Sequence, residues 1–93
     1  MLYFTDLNGV LIRLTEERVE HILRHRERVG IIEHVGDVLA NPDFVEFDQF
    51  DPEVSLYIKL VEHQYICVVV KLVGNDAFIL TCYAKRRLPD RSM

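Results

Sequence analysis

The sequence predicts a single α+β domain in which two helices pack on an antiparallel sheet of about four strands, preceded by a small N-terminal β-hairpin. The chain has 93 residues, enough for one hydrophobic core, and 49% of them are apolar. The apolar pattern has helical spacing in the first half and alternates in the second half. We therefore expect one domain that covers residues 1–93.

Residues 1–14 are predicted to form the hairpin. Two apolar runs, at 2–5 and 10–14, flank the tetrapeptide Asp6-Leu7-Asn8-Gly9. An Asn-Gly pair between apolar runs is a strong local hairpin signal.

Residues 15–41 are predicted to be helical. Thr15 is a suitable N-cap, and Glu16 and Glu17 place negative charge in the first turn. We expect a first helix over 16–28 and a shorter one over 32–39. The second helix should end at Asn41-Pro42, because the residue before a proline disfavours the α region.

Residues 44–85 are predicted to form the sheet. Alternating runs cover 44–50, 54–62, 65–72 and 77–85, and turn signals separate them. Short turns between consecutive strands predict an antiparallel meander. The basic tail, 86–93, contains a proline and few apolar residues, so we expect it to fray unless a partner or substrate orders it.

The charge of the chain is segregated. The net charge is -4, yet positions 33–53 contain seven acidic residues and no lysine or arginine, so this stretch carries -7 and the remainder +3. Such a pattern lets one side bind an anion while the other attracts a basic partner. No apolar run approaches the roughly 18 to 20 residues of a membrane span, and the N-terminus does not resemble a signal peptide. The sequence therefore predicts a soluble cytoplasmic protein without a membrane partner.

The two cysteines, Cys67 and Cys82, each lie in a strand-like run. A two-residue turn at Gly74-Asn75 would place them opposite each other, whereas other hairpin registers would not. Cysteines without a secretion signal are usually reduced, so we expect both thiols to be free.

The first predicted helix has a basic side that is separate from its apolar stripe. Helical spacing projects four side chains together: Arg18, His21, His25 and Arg28. A solvated helix face is the ordinary interpretation of such a set. A metal site shared by the two histidines is the alternative, but it lacks a third ligand and the neighbouring arginines disfavour a cation. We expect neither a metal nor a cofactor.

The last predicted strand places Thr81, Tyr83 and Lys85 on one side. Earlier strands each place a tyrosine and a lysine on one side: Tyr65 with Lys71, and Tyr57 with Lys59. Depending on register, one sheet face can carry hydroxyl, phenol and ammonium groups together. The solvated face of an ordinary antiparallel sheet carries the same residue types, and that interpretation stays open.

Four pieces of the chain, in this order, carry a family resemblance: the Asn-Gly hairpin, a helix with HILRHRE, the segment VLANPDFV and a closing strand with FILTCYAK. Together they resemble the phage-associated nuclease family of the Barnase, EndoU, colicin and RelE-like fold, over about residues 9–85. In that family the helix carries a histidine before a His-Pro-Glu-like turn, the middle has an Asn-Pro-Asp-like turn, and the last strand has Thr-x-Tyr. Arg26 stands where the family often has proline, so the helix should run about a turn longer than in relatives.

Carried over by position, His21, His25 and Glu27 match the helix motif, Asn41-Pro42-Asp43 matches the turn, and Thr81 and Tyr83 match the strand. The resemblance implies a metal-independent endoribonuclease that attacks through the 2'-hydroxyl of RNA. Such cleavage needs a base, an acid, and donors that hold the phosphate as charge builds.

The implied catalytic residues are His21 and His25 as acid or base, Thr81 as a phosphate donor, and Tyr83 as a second proton group or a base-stacking ring. Five basic residues would hold the RNA strand: Arg18, Arg24, Arg28, Lys85 and Arg87. This requires that His21 and the hydroxyl groups of the last strand converge around one positive groove.

The family also implies a toxin of a toxin-antitoxin or phage conflict system, with a cognate antitoxin or immunity protein as partner. Such a partner would cover Arg18, His21, Lys85 and Arg87, and not the acidic stretch. Two other interpretations stay open: a noncatalytic module of the same fold that binds protein or RNA, and a structural or oligomerising protein.

Overall fold

The computed structural model describes residues 1–24 and 30–87. The elements in chain order are β1 (Leu2–Thr5), β2 (Leu11–Leu14), α1 (Glu16–Leu23), a 3-10 helix (Ile32–His34), α2 (Val35–Ala40), β3 (Phe44–Phe47), β4 (Val54–Val61), β5 (Gln64–Val73) and β6 (Asp76–Lys85). The strands form one sheet in the order β1-β2-β6-β5-β4-β3.

The α+β class is confirmed, but the sheet is larger than predicted and is not wholly antiparallel. It has six strands because the N-terminal hairpin belongs to the sheet, where β2 pairs with β6 in parallel at Arg13 and Phe78. The other neighbouring strands pair antiparallel. The physical reason is burial. Because β2 lies beside β6, Ile12 and Leu14 join the core of the sheet and are fully buried.

The helices begin where the sequence predicts. Thr15 caps α1, with its Oγ1 accepting a hydrogen bond from the backbone N of Arg18 at 3.2 Å. From His25 on, the predicted range of this helix lies outside the described residues until Gly30. The predicted second helix is present as the 3-10 helix followed by α2. None of the described helices combines the length and apolar character that crossing a membrane requires.

The sheet has two distinct faces, and alternation along the strands assigns each side chain to one of them. The helix face packs on α1 and α2 and contains the larger part of the core, including Ile22, Val38, Val68 and Cys82. The opposite side, here called the far face, carries a second apolar cluster: Val54, Leu56, Ile58 and Cys67, with Tyr65, Val69, Leu80 and Tyr83 packed against it.

A one-residue bulge in β6 decides the position of the cysteines. Val69 lies opposite Thr81 and Val70 opposite Ile79, so Leu80 is the extra residue. The turn at Gly74-Asn75 would otherwise pair the cysteines, but the bulge places Tyr83 opposite Cys67 and Val68 opposite Cys82. The two cysteines therefore lie on opposite faces, and both are buried and not joined by a disulfide.

Asp6 joins the hairpin to the rest of the molecule. Its Oδ1 accepts hydrogen bonds from the backbone N of Asn8 (2.8 Å) and of Val10 (2.9 Å), which fixes the turn. Its Oδ2 accepts a buried hydrogen bond from the hydroxyl of Tyr57 on β4, at 2.7 Å. Burial and this hydrogen bond raise the pKa of Tyr57, so the phenol remains a donor at neutral pH.

Candidate functional site

The predicted strand residues meet on the far face. Thr81 lies opposite Val69, Tyr83 opposite Cys67, and Lys85 opposite Tyr65. The same alternation along β5 brings Lys71 to this face. One sheet face therefore carries hydroxyl, phenol and ammonium groups together. Tyr57 and Lys59 do not belong to it, because alternation along β4 places them on the helix face, where Tyr57 is part of the core.

His21 does not join this group. Helix α1 packs through Ile22 into the core of the helix face, where Cys82 also lies, while Tyr83 packs into the cluster of the far face. The sheet therefore lies between the exposed His21 and Tyr83, and the expected convergence around one groove is wrong. The cause is alternation, because a helix that covers Cys82 necessarily leaves its neighbours Thr81 and Tyr83 on the other side.

The remaining predicted helix residues divide in two groups. Arg18 and Arg24 belong to α1 and its C-cap, on the helix side of the sheet. His25 and Arg28 lie outside the described residues, as do Arg26 and Glu27 of the resemblance.

The end of β6 presents aromatic and basic side chains together, and we call Tyr65, Tyr83, Lys85, Arg86 and Arg87 the Tyr-Lys site. Both tyrosines are half-buried, whereas the three basic residues are exposed. The Nζ of Lys85 lies 5.6 Å from the centroid of the Tyr83 ring, within the range of a cation-π contact. Tyr65 is a site residue that the sequence did not predict. Alternation along β5 places it on the same face as Lys85, but that the two lie opposite each other follows only from the strand register.

Beneath these rings lies the thiol of Cys67. Burial raises its pKa to about 11, and the hydrogen bond with Tyr83 and the positive charge of Lys85 offset only part of this effect. At neutral pH the group is therefore a neutral thiol, which supports the ring of Tyr83 and does not act as a nucleophile.

The basic residues of the Tyr-Lys site differ from other basic residues of the sheet in having no carboxylate partner among residues 1–24 and 30–87. Arg13 is held by Asp76 at 2.6 Å, and Lys71 pairs with Asp51 at 3.3 Å. No ion pair within the described ranges involves Lys85, Arg86 or Arg87. This end of β6 can therefore bind an anion without first breaking an ion pair.

Thr81 contributes a polar group of a different kind. Its Oγ1 is the one buried side-chain nitrogen or oxygen atom in the described part of the chain that has no hydrogen-bond partner. An unpaired buried hydroxyl costs free energy. It lies on the far face, two residues before Tyr83 in β6.

A separate pocket of about 230 Å³ lies on the other side of the sheet. It is lined by the start of the 3-10 helix and the β4-β5 turn, including Ile31, His34, Glu62 and Gln64, and it contains none of the predicted site residues. In the described part of the chain, no three His, Cys, Asp or Glu side chains are grouped closely enough to hold a metal ion.

No protein-family model, no curated protein and no solved structure matches the chain. The chemical capability of the Tyr-Lys site therefore follows from its own residues. Stacking rings beside unpaired cations can hold a flat ring and a phosphate at the same time.

Proposed function

We propose that the chain binds single-stranded RNA at the Tyr-Lys site. The observation that carries this proposal is the position of Tyr65 and Tyr83 on adjacent strands of one face, directly beside a basic run that forms no ion pair with a described residue. Stacking on an exposed aromatic ring contributes about 1–3 kcal/mol per base, and lysine or arginine neutralises the phosphate.

The charge distribution of the far face restricts where the RNA strand can lie. Lys71, at the other end of the far face, is occupied by Asp51 and Glu53, and this end adjoins the acidic stretch. Phosphates are repelled there, so the RNA strand binds at the end of the face that carries the Tyr-Lys site and not along the whole face.

A second candidate function is metal-independent RNA cleavage at the same site. The Tyr83 phenol beside the Lys85 ammonium group favours it, because such donors suit a phosphate that accumulates negative charge. In this version Tyr83 donates its phenol proton to the leaving 5'-oxygen, the proton of the attacking 2'-hydroxyl passes to water, from which the phenol is reprotonated, and Lys85 stabilises the charge on the phosphate, without a contribution from His21. The resemblance to the Barnase, EndoU, colicin and RelE-like nucleases implies the same reaction class.

One experiment tests both functions. Fluorescently labelled single-stranded RNA is mixed with the protein in EDTA at low salt, and anisotropy and denaturing gels are recorded on the same samples. We expect binding that weakens as salt rises, with an affinity loss of about tenfold for Tyr83→Ala and little loss for Tyr83→Phe, which keeps the ring. Lys85→Gln should also weaken binding and reduce the salt dependence.

The variants separate the alternatives. His21→Ala is the matched control, and it should change neither binding nor cleavage. Cleavage that is abolished by Tyr83→Phe while binding persists supports the nuclease, whereas cleavage that is equal in every variant indicates a contaminant. Absence of binding, or equal binding by Tyr83→Ala and Lys85→Gln, would contradict an RNA site here. Unfolding curves of each variant show that the loss is not a loss of fold.

A further inference from the structure

The outer edge of the sheet at β3 has an unusual combination of exposed aromatic rings and acidic surroundings. Phe47 is 73% exposed and Phe50, in the following loop, is 86% exposed. Both belong to the stretch 33–53, which has seven acidic residues and no lysine or arginine. Large apolar side chains exposed side by side are typical of interaction surfaces.

The backbone of β3 offers hydrogen-bonding groups on the same edge. β3 is the last strand of the sheet order, and no described strand pairs with its outer side. The hydrogen bond from Asp48 N to Val54 O, at 2.9 Å, sets the alternation of the β3-β4 ladder. It follows that the amide and carbonyl groups of Val45 and Phe47 point away from β4.

Charge decides what kind of strand fits this edge. A second copy of the same edge would bring two acidic stretches together, and this repulsion protects an edge strand from pairing with itself. Lys59 and Lys71 offset part of the charge through contacts with Asp37, Asp51 and Glu53, but the stretch remains acidic in sum. RNA is excluded here for the same electrostatic reason.

We propose that the β3 edge binds an extended segment of a partner protein that carries lysine or arginine at alternate positions and apolar side chains between them. The segment adds to the sheet as a seventh strand, hydrogen-bonded to Val45 and Phe47. Its apolar side chains cover Phe47 and Phe50, and its basic side chains face the acidic stretch. This mode of recognition obtains affinity from main-chain hydrogen bonds and specificity from alternate side chains.

The test uses a fluorescein-labelled decapeptide of alternating lysine and valine and the full chain. We expect saturable binding, and we expect the affinity to fall about tenfold when every peptide amide is N-methylated, which removes the backbone donors of both edges but keeps all charges. Val45→Pro should cause a similar loss because it removes an outward-facing N–H, a substitution that edge strands tolerate. Phe47→Ser should weaken binding by removing the apolar contact.

Three results would overturn the proposal. If the methylated and unmethylated peptides bind equally well, the peptide is held by ionic attraction alone and not by main-chain hydrogen bonds. Equal binding of the peptide by Val45→Pro and by the wild-type chain would show the same. A concentration-dependent dimer in sedimentation that Val45→Pro abolishes would assign the edge to a second copy of the chain. No binding of the lysine-valine peptide would remove the site altogether. RNA binding at the Tyr-Lys site should persist in Val45→Pro, which shows that this variant is folded.

Discussion

At the scale of single residues, a few polar contacts connect distant parts of the chain in ways that sequence patterns do not reveal. Asp6 stands in a turn where aspartate is common, and nothing in the local pattern shows that its second oxygen reaches Tyr57, 51 positions away. His21 shows the opposite failure. Its spacing on the helix was correctly interpreted as exposed, but its distance from Tyr83 depends on which face the helix covers, and that is a tertiary fact.

The Asp6-Tyr57 contact gives a stability prediction. Tyr57→Phe leaves a buried carboxylate oxygen without its hydrogen bond, so the free energy of unfolding should fall by about 1–3 kcal/mol. Tyr65→Phe is the matched control, because no hydrogen bond of the Tyr65 hydroxyl is present in the described part of the chain. Denaturant titration of both variants measures the difference, and an equal loss in the two would show that the contact contributes nothing specific.

The Arg13-Asp76 pair gives a pH prediction. Arg13 donates two hydrogen bonds to Asp76, at 3.0 and 2.6 Å, and these lower the pKa of the carboxyl group. A carboxyl group whose pKa is lower in the folded state stabilises the fold above its unfolded pKa, and this contribution disappears as the pH falls through the folded value. The wild-type chain should therefore be more stable than Asp76→Asn at neutral pH, with the gap closing below about pH 4.

Unfolding curves recorded over a pH series measure this gap. Glu20→Gln is a suitable control, since Glu20 is exposed, lies beyond the first turn of α1 and forms no ion pair with any described residue. A difference between wild type and Asp76→Asn that stays constant into acid would mean that Asp76 acts through something other than its charge.

At the scale of elements, the sequence predicted where most strands and helices begin because turn residues and caps act locally. The bulge could not be predicted, since Leu80 is an ordinary strand residue without a glycine signal. The parallel pairing of β2 with β6 is equally invisible in a local pattern, because it joins residues 13 and 78. The bulge bears directly on the site, because it determines which residues of β5 lie opposite Thr81, Tyr83 and Lys85.

The bulge gives a prediction about register. Val68 lies opposite Cys82, so Val68→Cys in a Cys67→Ser background should form a disulfide with Cys82 under mild oxidation. Val69→Cys in the same background should not, because its side chain lies on the far face, opposite Thr81. Mass spectrometry of nonreduced peptides detects the bond. A disulfide in the Val69→Cys variant instead would place the register one residue away from the one described.

At the scale of the whole molecule, charge separates the two surfaces for which we propose ligands of opposite sign. The basic run lies at the end of β6, and the acidic stretch lies around β3 at the edge of the sheet. The order of the charged residues along the chain predicted this segregation, because a stretch with seven acidic residues and no lysine or arginine cannot neutralise itself locally. The sequence pattern could not predict that the basic run at the end of β6 would lie across the sheet from α1. For this reason the candidate site lies on the strands and not on the helix.

The parallel pairing of β2 with β6 also constrains how the protein is made on the ribosome. The apolar side of the first hairpin emerges early, but its docking partner includes residue 78, so it cannot be buried until β6 has left the exit tunnel. Closing so long a loop is slow compared with forming the hairpin itself. The hairpin is synthesised before β6 but is covered only once β6 is in place, and until then Ile12 and Leu14 stay exposed to water.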